Sequence, residues 1–484
     1  MQGEGALLHK AADYGISMVR MPPRPGTGGQ STTPTSQETP PVRPKDPPKQ
    51  PPQPQGRLVK LTARMGSQPT DGLKGWLGVN MEAVELPLAL SLGLVNGDGA
   101  LILGTLVGSP AAQAGLRFGD IVVGLNGRAV RDMNDLRQQV MQASPGSEAA
   151  LEVWRVATDE NDFVQTLRRL ADGGNAHVMY RLGRFHAGGN GVPRDDTQAV
   201  QWYRKGSDAG NLSAMTALAG ALLDGRGTGI DQQEALRLLR TAAAGNHAEA
   251  MNRLGNILHE GRITQKDALE AARLFTKAAE AGHVPSMVDL ARMYYNGDGV
   301  QTDLTKAALW YKQAADLGSA PGMVGLGWLY EHGKGVETDV GKAAMLYRRA
   351  ADLGNSVAMV DLGLLYVQGK GVEKNEFTAV SLYRKAIALN NSMAMNNLAW
   401  MLQAGRGVER RDPEEAAELM MKALDRRNEF SRQRMTQYSN TWSREFRQAL
   451  QRRLQDAGFY TGRIDGEFRQ STIAAIDAYF NRNR

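Results

Sequence analysis

The chain has 484 residues, 42% of them hydrophobic, and a formal net charge of +6. That length holds about three domains, and the ordinary apolar content argues against wholesale disorder. Cysteine is absent, which excludes disulfides, iron–sulfur clusters, cysteine nucleophiles and thiolate zinc sites but leaves the compartment open.

Residues 1–21 lack a basic start followed by an apolar core, so this short segment does not read as a signal peptide. No apolar run approaches the roughly 18 residues of a membrane span. Residues 22–54 carry twelve of the 20 prolines among Gln, Thr, Ser and Gly. Such a stretch cannot bury apolar surface and prefers polyproline geometry, so 22–72 is expected to be a semi-stiff linker.

A compact domain is expected over 73–156. Residues 99–107 read as a buried strand, and 118–130 as a strand pair turned at Asn126–Gly127. Asn134 is placed to cap a helix that Pro145–Gly146 breaks, and an alternating strand, LEVWRV, closes the domain. Residues 157–173 read as a connector whose helical piece, Phe163–Leu170, caps the element that follows.

Gly189, Gly225, Gly261, Gly297, Gly333, Gly369 and Gly405 then recur every 36 residues. A fixed interval of that size marks a stacked repeat. In the sixth unit Met359, Leu362, Gly363 and Tyr366 fall at helical spacing, and Ala379, Leu382, Tyr383 and Ala386 form a second stripe. An aromatic column (Tyr203, Phe275, Tyr311, Tyr347, Tyr383) and a small-residue column (Ala271, Ala307, Ala343, Ala379) run in register. Two-helix units with such columns predict an α-solenoid over 174–428. After Asn428 the register is expected to end in a basic connector, 429–443. Arginines 426, 427, 432, 434, 444, 447, 452 and 453 face only Glu429 and Glu445 in sequence. They read first as a solvated face, and second as a patch for an anionic partner. Residues 444–484 read as helix, Gly-rich turn, helix.

The repeat unit resembles the Sel1-like repeat, a relative of the tetratricopeptide repeat, nearly complete at Met323–Gly354 and Met359–Ala386. It departs at Leu239, which replaces the aromatic, and at Gly261-Arg262-Ile263, which lacks the second glycine. The resemblance implies a scaffold that binds proteins. Residues 73–156 resemble the bacterial PDZ domains of high-temperature-requirement serine proteases, through GWLGV (75–79) and 108–130. It implies that the turn Gly75, Trp76, Leu77, Gly78 and Val79 holds a peptide carboxylate, with Met81, Leu136 and Val140 lining the groove and Lys74 solvated. Residues 444–482 resemble a small helical peptidoglycan-binding module, through Leu450-Gln451, Leu454 and 458–468. Candidate glycan contacts are Tyr460, Ile464, Asp465, Gly466 and Phe468. Arg469 stands where that family carries glycine, at a cost of up to about 1 kcal/mol if the position needs positive φ.

The seven histidines are scattered, with no paired metal spacing, and there is no G-x-S-x-G elbow or phosphate loop. No catalysis, cofactor, metal or nucleic acid is expected, and a membrane contact only through an upstream anchor. The expectation is a multidomain chain, PDZ, Sel1-like solenoid and peptidoglycan-binding module, acting as a non-catalytic scaffold in the periplasm. The alternatives are an accessory or regulatory chain of an HtrA-like proteolytic system, or a cytoplasmic adaptor.

Overall fold

The computed structural model describes residues 56–67, 75–156 and 160–482. The short N-terminal segment, the proline run and Lys74 lie outside the described residues. The rest falls into two compact units, one ending at Leu254 and the other beginning at Gly255.

The first unit opens with strands β1 (Arg57–Arg64), β2 (Gly66–Ser67), β3 (Gly75–Trp76), β4 (Val79–Ala83), β5 (Ala100–Thr105), β6 (Ile121–Leu125), β7 (Arg128–Ala129) and β8 (Glu148–Arg155). The main sheet is antiparallel in the order β1-β8-β6-β5-β4, with β7 on β6; β2 and β3 pair separately. β1 corrects the expected linker, because it pairs with β8 from Arg57–Arg155 through Arg64–Glu148. Its inward residues Val59, Leu61 and Ala63 alternate with polar ones, but it directly follows the proline run and its partner lies some ninety residues on, which hid it in the tether. Asn126 (φ 51°) and Gly127 (φ 75°) make the left-handed pair that a two-residue hairpin of matching twist requires. The helix Met133–Gln142 is capped by Asp132 rather than Asn134: its carboxylate accepts from the N–H groups of Asn134 (2.7 Å) and Asp135 (2.8 Å).

Each repeat has two 13-residue helices, A and B. Helix A begins at 176, 212, 248, 284, 320, 356 and 392, and helix B at 196, 232, 268, 304, 340, 376 and 413. The periodic glycines end helix A in the left-handed region, with φ from 62° to 72°. Asp195, Asp231, Asp267, Asp303, Asp339, Asn375 and Asp412 cap helix B through their side chains. Each such cap is worth about 1 kcal/mol.

Within a repeat, A and B are joined by a pairing of small with large. A Cβ on Gly183, Gly255 or Gly363 would lie 2.5–2.6 Å from the ring of Tyr203, Phe275 or Tyr383, each twenty residues on. Where the residue is Ala219 or Ala399, its partner position holds Leu239 or Leu419. Leu239, a departure in sequence, thus stands opposite an alanine, whereas Ala291 at the same position stands opposite the aromatic Tyr311. The second glycine of the loop makes a different contact. A Cβ on Gly335 or Gly371 would sit 2.2 or 2.4 Å from the carbonyl oxygen that opens the preceding helix B. The loop thus presses onto the previous repeat.

The first repeat has no predecessor, and the sheet domain takes that place. A Cβ on Gly191 would meet the Phe118 ring at 2.2 Å. Phe118 packs edge-on against Phe163 (5.4 Å) and Phe185 (5.2 Å). One core joins Leu88, Leu92 and Ile121 to Leu167, Leu182 and Trp202. The helix Glu160–Asp172 lies inside this junction, so the expected cap is sandwiched rather than terminal.

In the second unit one core runs from Ala291 to Phe480. The expected basic connector is a correction as well. Asn428 caps a further helix, Glu429–Thr436, at the position where another helix A would start. The register therefore survives for one helix before helices Arg444–Asp456 and Gln470–Asn481 close the chain.

Candidate functional sites

A groove of about 270 Å³ opens on the sheet domain, lined by all eight residues expected there and by Asn80, Arg137 and Met141. One wall is β3, the following turn and β4; the other is the helix Met133–Gln142. β3 and this helix touch because residue 75 is glycine: a Cβ there would lie 2.2 Å from the Val140 carbonyl oxygen. Gly78 adopts φ +72° and turns the chain between the two strands. The turn's carbonyls face inward, Leu77 O accepting from Ala111 N (3.0 Å) and Gly78 O from Leu106 N (2.9 Å). Among the described residues, the N–H groups of Leu77 and Gly78 have no backbone acceptor. β4 ends the sheet order, so its outer edge pairs with no strand among the described residues. Two N–H groups without a backbone acceptor, beside a strand edge unpaired among the described residues and an apolar wall, suit an extended peptide ending in a carboxylate.

The side chains divide the labour. Leu77 and Leu136 are fully buried and form the floor, Val140 is nearly so, and Val79 and Met81 are half-exposed against the same core. Sequence reasoning missed the polar rim, Asn80 and Arg137. Helical spacing from Leu136 and Val140 would have placed Arg137 and Met141 beside them.

The C-terminal helix pair is organised by Gln451, which is wholly buried. Its amide donates toward Glu467 O (3.1 Å), Tyr460 Oη (3.3 Å) and Thr472 Oγ1 (3.3 Å), and accepts from Gly466 N (2.8 Å). Tyr460 is interior, its hydroxyl donating to Arg463 O at 2.9 Å. Gly466 is interior too: a Cβ would lie 2.7 Å from Arg444 Cγ. These two candidates shape the turn from inside instead of facing solvent. Ile464 and Phe468 are half-buried. Asp465 is held down to about 2 by the Arg469 guanidinium (2.6 Å) and by the Glu467 N–H (2.9 Å). Arg469 has φ −80°, so the strain expected of a non-glycine residue there does not arise.

Four of the eight arginines, Arg426, Arg427, Arg444 and Arg452, are exposed as a solvated face requires, and the other four are partly or fully buried. Arg432 bridges Glu429 and Asp477 (2.6 Å), Arg453 reaches Glu418 (3.3 Å), and Arg452 reaches Glu414. Arg427 donates to Phe480 O (2.7 Å), Arg444 to Asp465 O (3.1 Å) and Arg426 to Asn390 Oδ1 (2.5 Å). Arg434 is 5% exposed. Most partners lie thirty to fifty residues away, and no local pattern announces them.

The histidines are absorbed by packing. His247 and His283 accept from the Ala250 and Ser286 N–H groups as helix A caps. His332 stacks on Trp328 at 4.1 Å. His259 meets Asp298 at 2.6 Å.

The Sel1 repeat matches residues 176–211, 212–247, 248–283, 284–319, 320–355, 356–391 and 392–428, more than half of the chain. A PDZ domain matches 105–155, a range that begins after the turn and β4, and a peptidoglycan binding domain matches 443–479. A probable periplasmic serine endoprotease, DegP-like, of Rhizobium meliloti is 42% identical over 87 residues, 18% of this chain and 17% of that protein. Its counterpart in Hahella chejuensis is 38% identical over 107 residues, 22% and 23% of the two chains. The chain thus spans less than a quarter of the length of these curated relatives. A solved Sel1 repeat protein from Oxalobacter formigenes is 27% identical, covering 57% of this chain and 80% of that one, with a TM-score of 0.46.

Proposed function

This chain belongs to the Sel1 repeat family, and from that premise we propose that it is a non-catalytic scaffold of the cell envelope. Its PDZ groove captures the C-terminus of a partner protein, its solenoid supplies further protein-binding surface, and its last module holds the assembly to peptidoglycan in the periplasm. Sel1 repeats, a PDZ domain and a peptidoglycan-binding domain in one chain fit a protein-interaction scaffold. The observation that carries the peptide reading is the Leu77–Gly78 turn beside the unpaired edge of β4. Gly75, Trp76, Leu77, Gly78 and Val79 present the carboxylate site, and Met81, Leu136 and Val140 the apolar wall. For glycan, the half-buried Ile464 and Phe468 are the contacts retained, with Asp465 fixing the turn.

Calorimetric titration of the full chain with a hydrophobic C-terminal peptide and with its amide tests this. Micromolar binding of the acid, about −8 kcal/mol, should be largely lost with the amide. Equal binding of both would overturn carboxylate capture.

A second reading, an accessory chain of a proteolytic system, draws on the likeness to DegP-like endoproteases. It predicts that the chain alters the cleavage rate of such a protease on an unfolded substrate. An unchanged rate at saturating concentration removes it.

A further inference from the structure

A second cavity, of about 230 Å³, lies on the first three repeats in the same unit as the PDZ groove, with Arg184, Arg226, Arg253, Tyr180, Tyr203 and Asp196 in its lining. Asp196, the one carboxylate of the lining, is already paired with Arg194 at 3.0 Å, and Arg184 with Glu82 at 3.3 Å, which leaves Arg226 and Arg253 as the cations open to a ligand. Their own ion pairs are exposed and exchangeable: Arg226 with Asp224 at 2.8 Å, and Arg253 with Glu249 at 2.6 Å. The side chains of Arg226 and Arg253 are 58% and 47% exposed.

The direction of β4 connects the two cavities. A peptide whose carboxylate sits at the Leu77–Gly78 turn, paired antiparallel with β4, passes Val79 first and Ala83 last. Its upstream part therefore leaves the groove at Glu82–Ala83. Glu82 is the carboxylate that meets Arg181 (2.6 Å) and Arg184 (3.3 Å) of the first repeat. Arg184 belongs to the lining of the second cavity. Because Phe118, Phe163 and Phe185 lock the sheet domain onto that repeat, the exit of one site stays fixed beside the entrance of the other.

We propose that the PDZ groove and the arginine-lined cavity of the first repeats form one composite site for a protein C-terminus that is apolar over its last five residues and acidic over the preceding five. The proposal rests on the carboxylate reading of the groove. At about 3.3 Å per residue the last five residues match the five of β4, and the next few reach the guanidinium groups. Fixed geometry makes the second contact intramolecular once the first is made.

Three peptides with the same apolar last five residues provide the test on the full chain: the five-residue peptide, a ten-residue peptide with Asp and Glu upstream, and one with Ser and Gly upstream. The acidic peptide should bind about tenfold tighter than the neutral one, an advantage that shrinks with salt. The double variant Arg226→Ser, Arg253→Ser should lose that advantage and keep the five-residue peptide's affinity and the parent's thermal transition. Equal affinity of the acidic and neutral peptides, or an advantage that survives the double variant, overturns the composite site while the groove stands. Failure of the five-residue peptide to bind overturns the groove reading, and the composite site with it.

Discussion

The two ends of the repeat array are closed by different elements. At the first repeat an unrelated fold takes the place of a missing repeat: Phe118 fills the space beside Gly191, and Arg181, 1% exposed, is neutralised by Glu82. At the last repeat the array continues its own register through Asn428 and one more helix, and the closing module then shares one buried core with it, edged by charge pairs such as Arg432–Asp477 and Arg482–Asp425. A solenoid needs a cover for its terminal apolar face. Aromatic closure makes the PDZ domain and first repeat one body, with energy concentrated in a few buried side chains. At the other end the shared apolar core closes the array, and the exposed ion pairs at its margin add small contributions.

The largest effect should follow Phe118→Ala, which empties the centre of the three-ring cluster. A loss of about 3–5 kcal/mol is expected, seen as earlier unfolding of the first unit and faster amide exchange in helix Ala176–Gly188. A loss below about 1 kcal/mol would mean that the junction does not depend on this packing.

A repeat's own internal joint gives the reference between these extremes. Gly363→Ala would push a methyl to 2.6 Å from the Tyr383 ring, costing about 1–3 kcal/mol. Tyr383→Leu in the same chain should recover part of that cost, as the natural pairs Ala219–Leu239 and Ala399–Leu419 do. Additivity in the double-mutant cycle would contradict the pairing of small with large.

At the C-terminal end, Arg452→Ala should cost less than about 1 kcal/mol, because its pair with Glu414 is half-exposed. A cost comparable to that of Phe118→Ala, read from thermal unfolding, would mean that the ion pairs and not the core beneath them hold the closing module.

The array was legible in sequence because its period repeats a backbone requirement: a left-handed residue every 36, then a cap, then an aromatic facing a glycine. The PDZ groove was legible because GWLGV combines a glycine that lets strand and helix touch with one that turns the chain. What remained hidden is tertiary. β1 directly follows the proline run, and although Val59, Leu61 and Ala63 alternate with polar residues, its pairing with β8 is what separates it from the tether. The basic run has its partners thirty to fifty residues away. Tyr460 reads in sequence as either core or glycan contact, and Gly466 as a turn residue, until Gln451 is seen to draw both inward. Phe118 reads as an ordinary domain residue, and nothing periodic announces that it completes a repeat.

The smallest effect is the titration of Asp465. Its carboxyl is held near 2 by Arg469 and the Glu467 N–H, below the usual carboxylate value of about 3.9. A depressed folded value contributes stability that is present above about pH 4 and is lost as pH falls from about 4 to 2. Carbon-detected NMR titration should place its midpoint well below that of a solvated aspartate, and Arg469→Gln should raise it. An ordinary midpoint would remove this tether from the turn.

The central claim, a scaffold that brings a captured peptide to the wall, is tested most directly by cosedimentation of purified sacculi, the full chain and a fluorescent C-terminal acid peptide. The account predicts that the peptide pellets only when both protein and sacculi are present, and that its amide stays in the supernatant. A protein that pellets while the added acid peptide stays in the supernatant, or one that binds the peptide and remains in solution beside the sacculi, would contradict it.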